Sequence, residues 1–251
     1  MPRNDGLLNE QEIIYALNNR RVGSLSQNMR TLMRNLYGVL DDDYIIKARK
    51  PDKSSKTDIS ITYDGIQKNI SIKSGIAKIL HGEQINFLID YLKKKGISQK
   101  TIDTICLFQY GDGTTDGSSP QNRKEYYNID IDLSNRIKEA NYELNIDIEF
   151  VLDFMDRCIF KGSYDNLVAA EYIYIGTVEC GVLASRNQFF KHTLKRKFDY
   201  FDHLHIGPLL LRPDARYVGR EIACEKKRHR VIAYWPNLRE DVEFMSKRYN
   251  W

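Results

Sequence analysis

Three residues able to act together chemically fall within one short stretch, KTDISITYDGIQKNISIKSG, Lys56 to Gly75. Two runs alternate isoleucine with polar residues about an Asp-Gly turn, the pattern of a β-hairpin. Alternation puts Ile59, Ile61 and Tyr63 on one face of the first strand and Asp58, Ser60 and Thr62 on the other. On the second strand Ile70 and Ile72 alternate with Asn69, Ser71 and Lys73. Matching the apolar faces fixes the parity of the register. A tight turn at Asp64-Gly65 sets Asp58 opposite Ser71, and a slightly longer loop sets it opposite Lys73. Either way a carboxylate, a hydroxyl and an amine share one face as near neighbours. Such a face is either a solvated ion pair or a site where a carboxylate holds a cation and an ammonium steers an anion.

The elements around the hairpin decide which of the two it is. NEQEIIYALNN reads as a helix, with Asn9 as N-cap, Glu12 at N3 completing a capping box, and Ile13, Ile14 and Leu17 as the buried stripe. A second helix follows Ser24 or Ser26, burying Met29, Leu32, Met33 and Leu36. DDDYIIKARK reads as a short strand with a basic tail. Lys73 ends its strand at Ser74-Gly75, and GEQINFLIDYLKKKG reads as an amphipathic helix opening with Glu83. A strand that stops in a loop before a helix is where active sites of α/β folds gather. A helix amino terminus also tolerates the charge of a metal-binding carboxylate.

The order of helix, hairpin and helix, with Asp58 on one strand and Ser71-Ile72-Lys73 on the next, resembles the PD-(D/E)XK nuclease superfamily. Type II restriction endonucleases belong to that superfamily. The resemblance covers roughly residues 9 to 110 and rests on a short motif. It implies that Asp58 is the first metal-binding acid and Lys73 the lysine that positions and activates water. Ser71 stands where a second acid is usual, a departure that some restriction endonucleases share by drawing that acid from the following helix. Glu83 then fills the role, so the implied Mg2+ ligands are Asp58 and Glu83. Glu12 matches the acid of the amino-terminal helix loosely, and its capping role competes with that.

The chemistry suits these residue types. Mg2+ held by two carboxylates lowers the pKa of its water and neutralises the phosphate, and it keeps several waters, so two protein ligands suffice. The literal Pro51-Asp52 lies in a Lys- and Ser-rich loop, which leaves Asp58 as the better match.

Bulk properties set the class. With 42% hydrophobic and 29% charged residues among 251, the chain is an ordinary globular protein able to bury a full core. A net charge of +4 permits a nucleic-acid partner. Cys106, Cys158, Cys180 and Cys224 are too far apart for a zinc motif and read as buried free thiols in a reducing compartment. The amino terminus lacks an apolar signal-peptide core and no apolar run approaches the ~18 residues of a membrane span, so a cytoplasmic location is expected.

TIDTICLFQY is apolar and β-rich and reads as a buried strand; GDGTTDGSSPQN after it reads as a surface turn and boundary. LSNRIKEANYEL and IEFVLDFMDRCIF read as helices, and the remainder as strands (EYIYIGTV, GVLAS, IGPLLLRP, RVIAYW). Basic clusters concentrate near the carboxy terminus: Lys195, Arg196, Lys197, Arg212, Arg216, Arg220, Lys226, Lys227, Arg228 and Arg230. They read as phosphate contacts that position a duplex.

The expectation is an α/β (α+β) protein: a restriction-endonuclease-like mixed sheet flanked by helices over 1–112, a helical insertion over 113–162, and a basic β-rich lobe over 163–251. Its expected activity is Mg2+-dependent cleavage of double-stranded DNA by a homodimer, since a two-fold symmetric site calls for two readers. The alternative is an inactive nuclease-like module that binds nucleic acid, which Ser71 favours.

Overall fold

The hairpin closes on a two-residue turn in which Asp64 and Gly65 are both left-handed, with φ of 46° and 75°. This is the twist that joins adjacent antiparallel strands without splaying them, and glycine adopts it without a Cβ penalty. The register follows: in β2 (Ile59–Tyr63) and β3 (Ile66–Lys73), Tyr63 faces Ile66 and Ile59 faces Ile70.

The computed structural model describes residues 5–52, 56–75, 77–119, 131–163, 168–200, 203–214 and 227–248. It is a mixed α/β chain with two sheets, and it divides into two units, each built from separated segments. The first unit takes 1–78, 159–192 and 237–251, and the second takes 79–158 and 193–236. The consecutive division at 112 and 162 is therefore replaced by an interleaved one.

In the first unit α1 (Asp5–Leu17) and α2 (Gln27–Tyr37) precede β1 (Lys47–Arg49) and the hairpin. Ser26 caps α2, its hydroxyl accepting from the Met29 amide at 3.3 Å, and Met29, Leu32, Met33 and Leu36 are buried as their spacing requires. After residue 168 the chain adds β5 (Tyr172–Gly176) and β6 (Gly181–Ser185). The sheet order is β1-β2-β3-β5-β6, antiparallel except that β5 runs parallel to β3, with Ser71 beside Ile173 and Lys73 beside Ile175. Ile13, Leu17, Met33, Ile59, Ile61 and Tyr174 form its core, each fully buried apolar side chain contributing roughly 1.5–3 kcal/mol. Asn28 of α2 donates to the Tyr174 hydroxyl at 2.8 Å, fastening helix to sheet.

Two expectations change in this unit. Helix α1 begins before Asn9, so Asn9 is not its N-cap; it is buried and its amide donates to the Gly176 carbonyl at 2.8 Å. The region after residue 162 also contains helices, α7 (Arg186–Lys195) and α8 (Leu238–Arg248), and its strands are shared between the two units.

The second unit carries an antiparallel sheet of order β4-β9-β8-β7, formed by β4 (Ile79–Gln84), β7 (His205–Ile206), β8 (Leu209–Pro213) and β9 (Arg230–Tyr234). Its helices are α3 (Ile85–Lys94), α4 (Gln99–Tyr110), α5 (Ile131–Ile146) and α6 (Ile148–Asp156). TIDTICLFQY is thus helix α4, not a strand. Ser98 accepts from the Thr101 amide at 3.3 Å as N-cap, and Gly111 ends the helix in the left-handed region. Burial of Ile102, Ile105, Cys106 and Phe108 makes the run look continuous, because α4 packs on more than one side. No helix among the described residues is long and apolar enough to cross a membrane.

Candidate functional site

Asp58 immediately precedes β2, and its amide donates to the Ile70 carbonyl at 2.9 Å, which extends the ladder and sets it opposite Ser71. Its Oδ2 accepts from the Ser71 hydroxyl at 3.1 Å and from the Ile72 amide at 2.6 Å. Ser71 is completely buried, so its hydroxyl serves to orient the carboxylate. Oδ1 has no hydrogen-bond donor among the described residues and is available to a ligand. Lys73, half-buried at the end of β3, forms no ion pair among the described residues.

The acid that joins them is Glu10 of α1. Burial raises its pKa above 4.5, the negative charge of Asp58 raises it further, and Lys50 and Lys73 pull it down. These four side chains therefore share one field within the first unit. Lys50, just after β1, places Nζ 3.5 Å from Glu10 Oε2. Arg239 of α8 brings a further cation beside the turn after Lys73: a Cβ at Gly75 would meet its Nη1 at 2.6 Å.

Glu12 is exposed and stands two residues from Glu10, about 200° round the helix. Of the two acids it is Glu10, half-buried, and not the expected Glu12, whose charge couples to Asp58 and Lys73. The signal was in the sequence, since Glu10, Ile13, Ile14 and Leu17 are spaced i, i+3, i+4, i+7 and place an acid on the apolar stripe.

Glu83 does not open a helix. It lies in β4 of the second unit with a side chain only 6% exposed. Arg157 engages both its carboxylate oxygens, Nη1 donating to Oε1 at 2.6 Å and Nη2 to Oε2, and His81 Nε2 lies 3.6 Å from Oε1. Burial alone would raise its pKa, but the His81 and Arg157 hydrogen bonds and the guanidinium charge override it and hold the group at about 2. A carboxylate committed to a buried arginine is a structural partner. Of the pair expected to hold a metal, Asp58 and Glu83, the second is committed to Arg157, and the acid whose charge couples to Asp58 within the first unit is Glu10.

Carboxylates are the ligand type that suits a hard divalent cation that retains waters. Among the described residues no group of three or more His, Cys, Asp or Glu side chains is assembled, so a zinc-type cage is not present there.

The basic clusters separate on inspection. Lys195, Arg196, Lys197, Lys227 and Arg230 are exposed, and Arg230 pairs with Asp214 at 3.4 Å. Arg212 is half-buried with its guanidinium 3.9 Å from the centre of the Tyr234 ring. Arg228 is buried, bound to Asp112 Oδ2 at 2.5 Å and to the Gly117 carbonyl at 2.9 Å. Arg228 therefore latches the Gly111–Gly117 loop and is not a phosphate contact, and Asp112 is a buried anchor where a surface turn was expected. Arg216, Arg220 and Lys226 lie outside the described residues, as does Cys224. Cys106 and Cys158 are buried, whereas Cys180 is exposed.

The chain matches no known protein-family model, and no curated protein is significantly similar to it in sequence.

Proposed function

We propose that the chain is a Mg2+-dependent endonuclease of double-stranded DNA, built on a restriction-endonuclease-like core and acting as a homodimer. The observation that carries this reading is the pairing of Asp58 with Ser71 and the Ile72 amide through one oxygen, the other having no donor among the described residues, with Lys73 on the same strand as Ser71 and Glu10 close enough to feel the charges of both Asp58 and Lys73. A mixed sheet with a helix ahead of its hairpin supports it, as does the exposed basic run Lys195-Arg196-Lys197.

Glu10 and Asp58 would hold the cation, which supplies Lewis acidity at the phosphate and an acidified water. Ser71 and the Ile72 amide fix the Asp58 carboxylate, so no reorientation is needed as charge develops. Lys73, which forms no ion pair among the described residues, would offer its ammonium to a non-bridging phosphate oxygen or to the attacking water. Lys50, bridged to Glu10, offsets part of the repulsion between the two acids while the site is empty of substrate.

The test is incubation with long duplex DNA of mixed sequence and Mg2+, with chelator and Lys73→Ala as controls. Cleavage that vanishes with chelator and falls roughly 10²-fold or more in Lys73→Ala supports the reading. Undiminished cleavage by Lys73→Ala excludes it. Salt-sensitive DNA binding without cleavage under any divalent metal would select the inactive binding module, which Ser71 in place of an acid favours.

A further inference from the structure

The second unit contains a groove of about 560 Å³ that the hydrolytic site does not use. One wall is a stripe of α5, Lys138, Asn141, Tyr142 and Asn145, at the i, i+3, i+4, i+7 spacing of one helix face. The opposite face of α5 is committed elsewhere: Glu139 pairs with Lys100, and Glu143 accepts from the Ser98 amide at 2.7 Å. The stripe is therefore the side left to a ligand.

The two asparagines build the floor. Asn141 donates to the His203 carbonyl at 2.8 Å and accepts from the His205 amide at 3.0 Å. Asn145 donates to the His205 carbonyl at 2.9 Å and accepts from the Gly207 amide at 2.6 Å. With every strong donor and acceptor of that floor paired internally, what remains to meet a ligand is aromatic and cationic. Tyr142 is 71% exposed. Phe198 lines the other wall, with the Arg196 guanidinium 5.6 Å from its ring centre and Trp235 edge-on at 6.2 Å. The exposed run Lys195-Arg196-Lys197 leads directly into Phe198, and the exposed Lys138 is itself part of the lining. Among the described residues Asp199 is the one acid of the lining, beside these cations.

An exposed ring, Tyr142, and a half-buried one, Phe198, beside exposed cations are an arrangement that can take a single nucleic-acid strand, its bases stacked on the rings and its phosphates on the cations. The volume falls in the range of about 300–1,000 Å³ typical of small-ligand sites, which suits one unpaired nucleotide. We propose that this groove binds a single DNA strand through base stacking on Tyr142 and Phe198 and phosphate contact with Lys138, Lys195, Arg196 and Lys197. The choice of DNA as ligand rests on the endonuclease reading, and the groove would serve that enzyme by holding an unpaired stretch of its substrate.

The experiment is fluorescence anisotropy of a labelled oligothymidylate with the full chain, in chelator so that no cleavage intervenes. Tyr142→Ala, at an exposed position, is expected to weaken binding about tenfold, and Phe198→Leu likewise. Arg196→Glu with Lys197→Glu is expected to flatten the dependence of log K on log salt by about 1.4, two single-strand phosphate contacts. Circular dichroism of each variant verifies that it is folded. Binding within about twofold of the parent for both aromatic variants overturns the proposal, as does a parent that ignores oligothymidylate at low salt. Lys73→Ala separates the two readings: it is expected to bind the strand normally and to lose cleavage. Lys73→Ala that cleaves undiminished, beside a Tyr142→Ala that loses binding, removes the endonuclease reading and keeps the groove.

Discussion

Glu10 carries the sharpest residue-scale consequence. Its carboxyl titrates above 4.5 because it is partly buried and faces Asp58. If Glu10 holds the proposed cation, protonation removes a ligand, so cleavage is expected to fall as pH drops into that raised range and to be full above it. Glu10→Gln is expected to abolish the pH-sensitive limb with most of the activity, a loss of roughly 10²-fold or more, while Glu12→Gln leaves the rate unchanged. A pH–rate profile of the two variants on duplex DNA checks this, and equal losses in both would remove Glu10 from the site. At this scale the placement of Asp58, Ser71 and Lys73 on one hairpin face was legible, because a period of two and an Asp-Gly turn leave few registers. The Glu10 role was also present in the pattern, as an acid on an apolar stripe, but the better-known capping signature at Asn9 and Glu12 masked it. Arg228 was not legible: nothing local distinguishes an arginine that meets a phosphate from one that meets Asp112, 116 residues away in sequence.

Among the elements, those bounded by local chemistry were readable. Ser26 and its Met29 hydrogen bond announce α2, and Asp64-Gly65 announces the hairpin. The hairpin turn makes a direct prediction: Gly65→Ala puts a Cβ on a residue at φ 75° and is expected to cost about 1 kcal/mol, read as a lower denaturant midpoint at constant slope. α4 was misread because an apolar run buried on several sides has no visible period, and only its caps, Ser98 and Gly111, mark it as helix. Strand β4 was missed because the residues that make Glu83 extended are its ladder partners, with Glu83 beside Val231. The Glu83–Arg157 pair gives this element a pH signature. The folded state holds Glu83 near 2 against an ordinary 4.5, so it binds fewer protons than the unfolded chain between those values. Its stabilisation is full above about pH 4.5 and is lost as pH falls toward 2, on the order of 2 kcal/mol in all. Glu83→Gln is expected to flatten the stability–pH curve in that window and to destabilise the protein at neutral pH, since Arg157 is left without its counter-charge. Denaturant melts at a series of pH values measure both effects; an unchanged slope would show that the pair does not couple to folding.

For the whole molecule, the interleaving of segments governs what can fold alone. Composition and the turn-rich stretch after Tyr110 suggested a self-contained core ending at residue 112, but β3 is completed by β5, with Ile70 beside Tyr172 and Lys73 beside Ile175. A fragment of 1–112 keeps Glu10, Asp58 and Lys73 and loses the strand that buries one edge of the segment holding Ser71 and Lys73. It also keeps β4 without its ladder partner β9, where Ile79 faces Tyr234. Two open edges without a partner strand, one of them with the alternating isoleucines of β3, favour association over folding. The fragment is therefore expected to show no cooperative thermal transition, to aggregate at micromolar concentration and to lack DNA cleavage, whereas the full chain melts cooperatively. Far-UV circular dichroism with light scattering during heating distinguishes the two. A fragment that melted cooperatively as a monomer would show that β5 and β6 are accessories to the first sheet, and would return the boundary to residue 112. The physical reason this boundary could not be read is that a parallel pair such as β3–β5 is closed by a long crossover, and the sequence between its strands carries no mark of where the chain will come back.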